Sequence, residues 1–120
     1  MKENGEIEGL EVHAFEGEQY RPLMSYCSWR VAMLNHGPKF TAPTCLERHR
    51  NTDEAFVLLD GVATLLVGES AVRVAMEKFK VYNVRRGPWH NIETTPGAKC
   101  LVVENDDTDA SNTDYREIAR

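Results

Sequence analysis

From about residue 10 the chain is a succession of short apolar runs broken by turn residues. EVHAF (11–15), SYCSWRVAMLN (25–35), EAFVLLD (54–60), VATLLVG (62–68), AVRVAM (71–76), KVYNVR (80–85), WHNIE (89–93) and KCLVVEN (99–105) follow one another with polar, Gly or Pro breaks between them. Alternation with period two is the signature of a strand whose two faces meet different surroundings. The gaps are too short for the crossover helices of a parallel sheet, so the pattern predicts an antiparallel sandwich or barrel. The run at 25–35 is long enough for one bent strand or two short ones. Asp60-Gly61 between two apolar runs predicts a hairpin, because a tight type I′ turn needs positive φ at both central residues. Gly68-Glu69-Ser70 predicts the next turn, and Gly37-Pro38, Ala42-Pro43, Gly87-Pro88 and Pro96-Gly97 mark further breaks.

The chain has 120 residues, 42% of them apolar, which suits one domain with a proper core. Residues 1–9 read as a loose polar leader, 10–105 as the barrel and 106–120 as a polar tail. In the tail, TDYREIAR (113–120) is expected to form a short helical turn with Tyr115 and Ile118 on one side. The net charge of −5 argues against a nucleic-acid partner and against docking on an anionic membrane. No apolar run approaches the roughly 20 residues of a membrane-spanning helix, and the polar N-terminus lacks the apolar core of a secretory signal. Cys27, Cys45 and Cys100 are scattered and odd in number, so no disulfide framework is expected and a cytoplasmic setting is the simplest. Cys27 and Cys100 sit in apolar alternating runs and read as core thiols.

The charged stretch LERHRNTDE (46–54) carries the chemistry. If it is extended, Cys45, Glu47 and His49 share one face, while Arg48 and Arg50 point away. Glu54 shares a face with Phe56 and Leu58, and His90 with Ile92. Three neighbouring strands of a small barrel would then aim Glu47, His49, Glu54 and His90 at one point. Two imidazoles with carboxylates suit a divalent transition metal: Fe(II) first, with Mn, Ni or Zn as alternatives. The bland reading is a solvated loop at 46–54 and a half-buried His90 bonded to a carbonyl. His13 and His36 lack partners in sequence. Arg30, Arg73 and Arg85 lie in predicted strands and are expected mostly at the surface. An Arg inside the barrel would have to be paired, or would be a fork for a substrate carboxylate or phosphate. Phe56, Tyr26, Tyr82 and Trp29 are candidates for a pocket wall or for the core.

These spacings resemble the cupin superfamily. Glu54, six residues and Gly61 match the end of its first motif, and His49 matches the second His of that motif. Gly87-Pro88-Trp89-His90 matches the Gly-x-x-His of the second. Glu47 replaces the first His, and Arg85 and Thr94 stand where the second motif has Pro and Asn. The resemblance covers about residues 40–104. It implies an all-β double-stranded β-helix, a jelly-roll barrel, with His49, Glu54 and His90 as metal ligands. Glu47 is implied as fourth ligand or as general base. It also implies a small polar molecule as partner and a homodimer, for which the run VATLLV offers a strand face. The superfamily includes enzymes of many kinds as well as binding and storage proteins, so no reaction follows. The broken His pair leaves a metal-free ligand-binding or sensor module open, and an interaction protein as a third alternative.

Overall fold

The computed structural model describes residues 7–118. Ten strands among them form two five-stranded antiparallel sheets. One sheet has the order β1 (Gln19–Tyr26), β2 (Trp29–Asn35), β9 (Lys99–Asn105), β4 (Glu54–Asp60), β7 (Val81–Val84). The other has the order β10 (Thr113–Glu117), β3 (Cys45–His49), β8 (His90–Thr94), β5 (Ala63–Val67), β6 (Val72–Ala75). The sheets face each other as the two walls of a jelly-roll barrel, so the all-β double-stranded β-helix expected from the sequence is the architecture observed. No helix of the described residues is long and apolar enough to cross a membrane.

Period-two alternation builds the interior. Ala32 and Leu34 of β2, Phe56 and Leu58 of β4, Ala63 and Leu65 of β5, Ile92 of β8, and Cys100 and Val102 of β9 are buried in one cluster. At one end of the barrel the same inward rows continue with polar residues: Arg30, Glu54, His90 and Glu104. The core holds one end of the barrel and leaves the other for a site.

Several expectations need correction. Asp60-Gly61 does not close a hairpin, because β4 and β5 belong to different sheets. The dipeptide turns the chain from one wall to the other. Gly61 has φ 73°, and a Cβ there would stand 2.6 Å from Cα of Ala98, so only Gly fits where this turn packs on the Pro96-Gly97 turn. The Asp-Gly signal fixes a backbone conformation and says nothing about which sheet receives the next strand. The turn at Gly68 does join a hairpin, β5 to β6.

EVHAF forms no strand; His13 is exposed there and hydrogen-bonds Glu11. The first strand is β1, in which Pro22 interrupts the alternating pattern. β1 is an edge strand and its register shifts between Pro22 and Met24, a place where proline costs no ladder bond. SYCSWRVAMLN contributes the end of β1 and all of β2, joined at Cys27-Ser28. Cys27 therefore lies exposed in a hairpin turn, not in the core, whereas Cys100 is fully buried. Tyr26 and Trp29 flank that turn and are exposed, and neither lines the cavity inside the barrel.

VATLLV offers no free strand face: β5 is paired on both sides, and Ala63, Leu65 and Leu66 are buried. The expected helical turn in the tail is a single 3-10 turn at Ala110–Asn112, ahead of the segment where periodicity placed it. Thr113–Glu117 is a strand on the edge of the second sheet. Five residues are too few to separate a period of 2 from one of 3.6, and pairing with β3 decides the outcome. The leader at residues 1–9 lies outside the described residues up to residue 6, as do residues 119 and 120.

Candidate metal centre

β3, β4 and β8 place the four sequence-derived residues around one point. One donor atom each from Glu47, His49, Glu54 and His90 lies within 4.8 Å of the others. His49 and His90 arrive from neighbouring strands, with Glu47 directly opposite His90 in the ladder. The backbone also ties the two charged motifs together, since the Gly87 amide donates to the His49 carbonyl at 3.1 Å. Glu54 reaches across from the other sheet. Its Oε1 is 3.0 Å from Nε2 of His49 and 2.9 Å from Nε2 of His90. Oε1 of Glu47 is 3.7 Å from Nε2 of His49. Arg48 and Arg50 point outward, as alternation requires, and both bond Asp114 of β10. Cys45 lies two residues before Glu47 and is not part of the group.

The cluster opens into a cavity of about 180 Å³. Leu34, Phe40, Phe56 and Ile92 make its apolar wall, while Asn91, Tyr115 and Lys39 add polar groups. Thr108, Asp109 and Ala110 line it as well, so the segment between β9 and β10 forms part of its wall. Phe56 is a wall residue, as one of the two readings of the aromatics had it.

Two features orient the imidazoles. Nδ1 of His90 is 3.3 Å from the Pro88 carbonyl, an acceptor only, which favours a proton on Nδ1. In the neutral ring Nε2 is then a bare lone pair facing a carboxylate oxygen. Such an arrangement needs a proton or a metal ion between the two atoms. His49 has Nδ1 2.9 Å from Thr113 Oγ1 and Nε2 toward the cluster. Backbone or hydroxyl partners on Nδ1 with Nε2 free are the usual setting of metal-binding histidines.

The electrostatics follow. Burial opposes a charge on both rings, but the hydrogen bonds and charge of Glu54 outweigh it and raise their pKa values. For Glu54, only 5% exposed, burial would favour the neutral acid. Hydrogen bonds from His49 and His90 overcome that and hold its carboxyl well below the usual range.

The donor set fits a divalent ion. Two atoms bound to one ion at roughly 2.0–2.2 Å stand at most about 4.4 Å apart. The His49–Glu54, His90–Glu54 and His49–Glu47 separations of 3.0, 2.9 and 3.7 Å fall inside that limit. Small side-chain rotations bring in the widest pair.

Three further residues stand beside the cluster, of which Tyr20 and Glu104 were not singled out in the sequence. Glu104 of β9 is buried, and its Oε2 accepts from the Tyr20 hydroxyl and from Arg30 Nη2. Burial first, then the negative charge of Glu54, raise the Glu104 pKa against the pull of Tyr20 and Arg30. A signal was present: in KCLVVEN, Glu104 follows Cys100 and Val102 on the inward row. Arg30 is one of three strand arginines expected mostly at the surface, with pairing as the condition for an interior one. It lies inside and paired, and its nitrogens bond Tyr20, Glu104 and the carbonyls of Asp106 and Thr108. It is no free fork for a substrate anion.

No family model matches the chain, and no curated protein matches it in sequence. Its fold is similar to known structures. A cupin-2 domain protein from Shewanella frigidimarina superposes with a TM-score of 0.59 at 14% identity, covering 76% of this chain and 84% of that one. A double-stranded β-helix protein from Klebsiella pneumoniae gives 0.62 at 13% identity and 91% of each chain. Streptomyces Pac13, a nucleoside dehydratase, solved as a variant with uridine, gives 0.68 at 5% identity, over 92% of this chain and 93% of that one. Cupin-fold neighbours thus include an enzyme solved with a small molecule bound. With its two facing antiparallel sheets and these neighbours, the chain has the cupin fold.

Proposed function

We propose that the chain binds one divalent transition metal through His49, His90, Glu54 and Glu47, and that a small polar molecule enters the cavity above it. The observation that supports this reading best is the placement of the His90 ring: its Nδ1 faces the Pro88 carbonyl at 3.3 Å, and its Nε2 faces Glu54 Oε1 at 2.9 Å. A bound metal there would supply Lewis acidity or a more acidic water. The chain's own residues do the rest. Thr113 and Pro88 orient the imidazoles, Phe56, Ile92 and Phe40 exclude water from one side, and Asn91 and Tyr115 offer polar contacts to a guest. Glu47, the most open of the four carboxylate and imidazole groups at 27% side-chain exposure, is the group placed to bind the ion or accept a proton from the guest. The reading is of a metal-dependent cupin-type protein, with the reaction left to activity screens.

A metal-free binding module is the second reading. Its support is that Glu54 already accepts from both imidazoles when these are protonated, which closes the cluster without an ion. Elemental analysis of untagged protein purified without chelator separates the two. About one ion per chain, lost in the His49→Ala/His90→Ala variant, is expected. Absence of metal, with no rise in melting temperature on adding Fe(II), Mn(II), Ni(II) or Zn(II), would favour the module, since a native-state ligand must raise that temperature.

A cytoplasmic setting is also part of the proposal, supported by three free cysteines, one of them exposed. So is a homodimer, although the face first assigned to it is buried; the mass in solution tests it.

A further inference from the structure

Glu104 carries an observation that the four-donor group does not explain. Its side chain is almost fully buried. One oxygen, Oε2, is clamped by the Tyr20 hydroxyl and by Arg30, whose Nη2 donates at 3.2 Å. Arg30 Nε also donates to the Tyr20 oxygen at 3.1 Å, which directs the phenol's own proton to Glu104. Arg30 Nη1 and Nη2 also donate to the Asp106 and Thr108 carbonyls at 3.0 and 3.1 Å. Arg30 is therefore held in place by the Tyr20 oxygen and two backbone carbonyls while its Nη2 fixes the carboxylate. The other oxygen of that carboxylate, Oε1, is buried with no hydrogen-bond partner. A buried, unpartnered polar atom costs about 1–3 kcal/mol and calls for an explanation.

The direction of Oε1 supplies one. It lies 3.9 Å from Nε2 of His49, the same atom that Glu54 and Glu47 approach at 3.0 and 3.7 Å. All three distances from that nitrogen fall within the roughly 4.4 Å limit for two donors on one ion, while Glu104 stands just outside the group of four whose donors all lie within 4.8 Å of one another. Three carboxylates from three different strands therefore converge on one imidazole nitrogen, and the third is held by the Tyr20 phenol and the Arg30 guanidinium.

We propose that Glu104 is a fifth protein donor to the cation site, anchored by Tyr20 and Arg30, and that it tunes the site toward Mn(II). The inference rests on the metal-binding reading above. Charge supports it. Three carboxylates against one guanidinium leave two negative charges, and one divalent cation between neutral imidazoles balances them. Donor chemistry supports the choice of ion. Five donors, three of them carboxylates, suit an oxygen-preferring ion of higher coordination number better than four-coordinate Zn(II).

The test is Mn(II) binding to the metal-stripped full chain, followed by the solution EPR signal of the free ion, with Zn(II) binding measured in parallel. The wild type is expected to take one Mn(II) per chain. Glu104→Gln should weaken Mn(II) binding by at least about tenfold while Zn(II) affinity falls by less than about threefold. A purely structural role for Glu104 would weaken both ions alike, and that result overturns the inference. Unchanged Mn(II) affinity in Glu104→Gln also overturns it while leaving the metal reading intact. If the Gln variant does not fold, Glu104→Asp decides, since it keeps the charge and withdraws the oxygens by one methylene. Weaker Mn(II) binding with Zn(II) little changed supports the proposal, and wild-type Mn(II) affinity contradicts it. If the wild type binds none of Mn(II), Fe(II), Ni(II) and Zn(II), the underlying reading fails and this inference fails with it.

Discussion

Nε2 of His90 and Oε1 of Glu54 stand 2.9 Å apart at the closed end of the cavity, with Nδ1 of His90 bonded to the Pro88 carbonyl. Whatever lies between those two atoms must be positive, a proton or a metal ion, because two lone pairs would otherwise face each other in a buried place. The first consequences concern the metal-free protein, where protons must serve.

Replacing Glu54 by Ala removes the common acceptor of both imidazoles. Breaking a buried ion pair by deleting one partner can be severely destabilising, but here the rings can lose their protons and relieve part of the cost. The expected loss is roughly 1–3 kcal/mol in denaturant unfolding with chelator present. A change under about 0.5 kcal/mol, the range of an unremarkable surface substitution, would show that the contact contributes little.

The stability of the metal-free protein should also depend on pH with a definite sign. The pKa values of His49 and His90 are raised above the ordinary 6.5. Their contribution is complete below 6.5 and is lost as pH rises through the raised values. The pKa of Glu54 is depressed below the ordinary 4.5, so its contribution is complete above 4.5 and is lost as pH falls through the depressed value. The melting temperature should therefore peak between about 4.5 and 6.5 and decline toward alkaline pH. In Glu54→Gln the alkaline decline should flatten. A melting temperature that rises steadily from pH 6 to 9 would contradict the assignment.

Thr113 tests whether the tail belongs to the site. It lies opposite His49 in the β10–β3 ladder, and its Oγ1 is 2.9 Å from His49 Nδ1. Thr113→Val keeps the shape and removes the oxygen. Metal affinity measured by competition with a chelating dye should fall about 10–100-fold, as it does when such outer partners are lost, with the far-UV spectrum unchanged. Wild-type affinity in this variant would make β10 a bystander.

Gly61→Ala probes the passage between sheets. The substitution meets both an αL backbone, φ 73°, and the Ala98 backbone at 2.6 Å. The αL penalty alone is about 1–2 kcal/mol, and the backbone cannot yield as a side chain would. A loss above about 2 kcal/mol is expected from thermal or urea unfolding. A neutral result would mean that the turn can reshape.

Much of this was legible in the sequence, and the reason is period two. Residues two apart on a strand share a face, so the spacing of Glu47 and His49, and of His90 and Ile92, was enough to aim side chains once strands were recognised. Connectivity between sheets was less legible. Asp60-Gly61 announces a turn, but whether the next strand pairs with the last or crosses the barrel depends on distant partners, here Ala98 and β8. β1 was hidden by Pro22, which an edge strand tolerates. Glu104 and Arg30 were hidden for another reason. A charged residue on an inward row looks like a surface residue until its partners are known, and Tyr20, Arg30 and Glu104 are separated by up to 84 positions.

The most direct test of the central claim is a crystal of the full chain soaked with Mn(II) and measured for anomalous scattering. The account predicts one peak per chain, within bonding distance of Nε2 of His49 and His90 and of the Glu54 and Glu47 carboxylates. No peak there, or the only ordered ion on the surface, would contradict it.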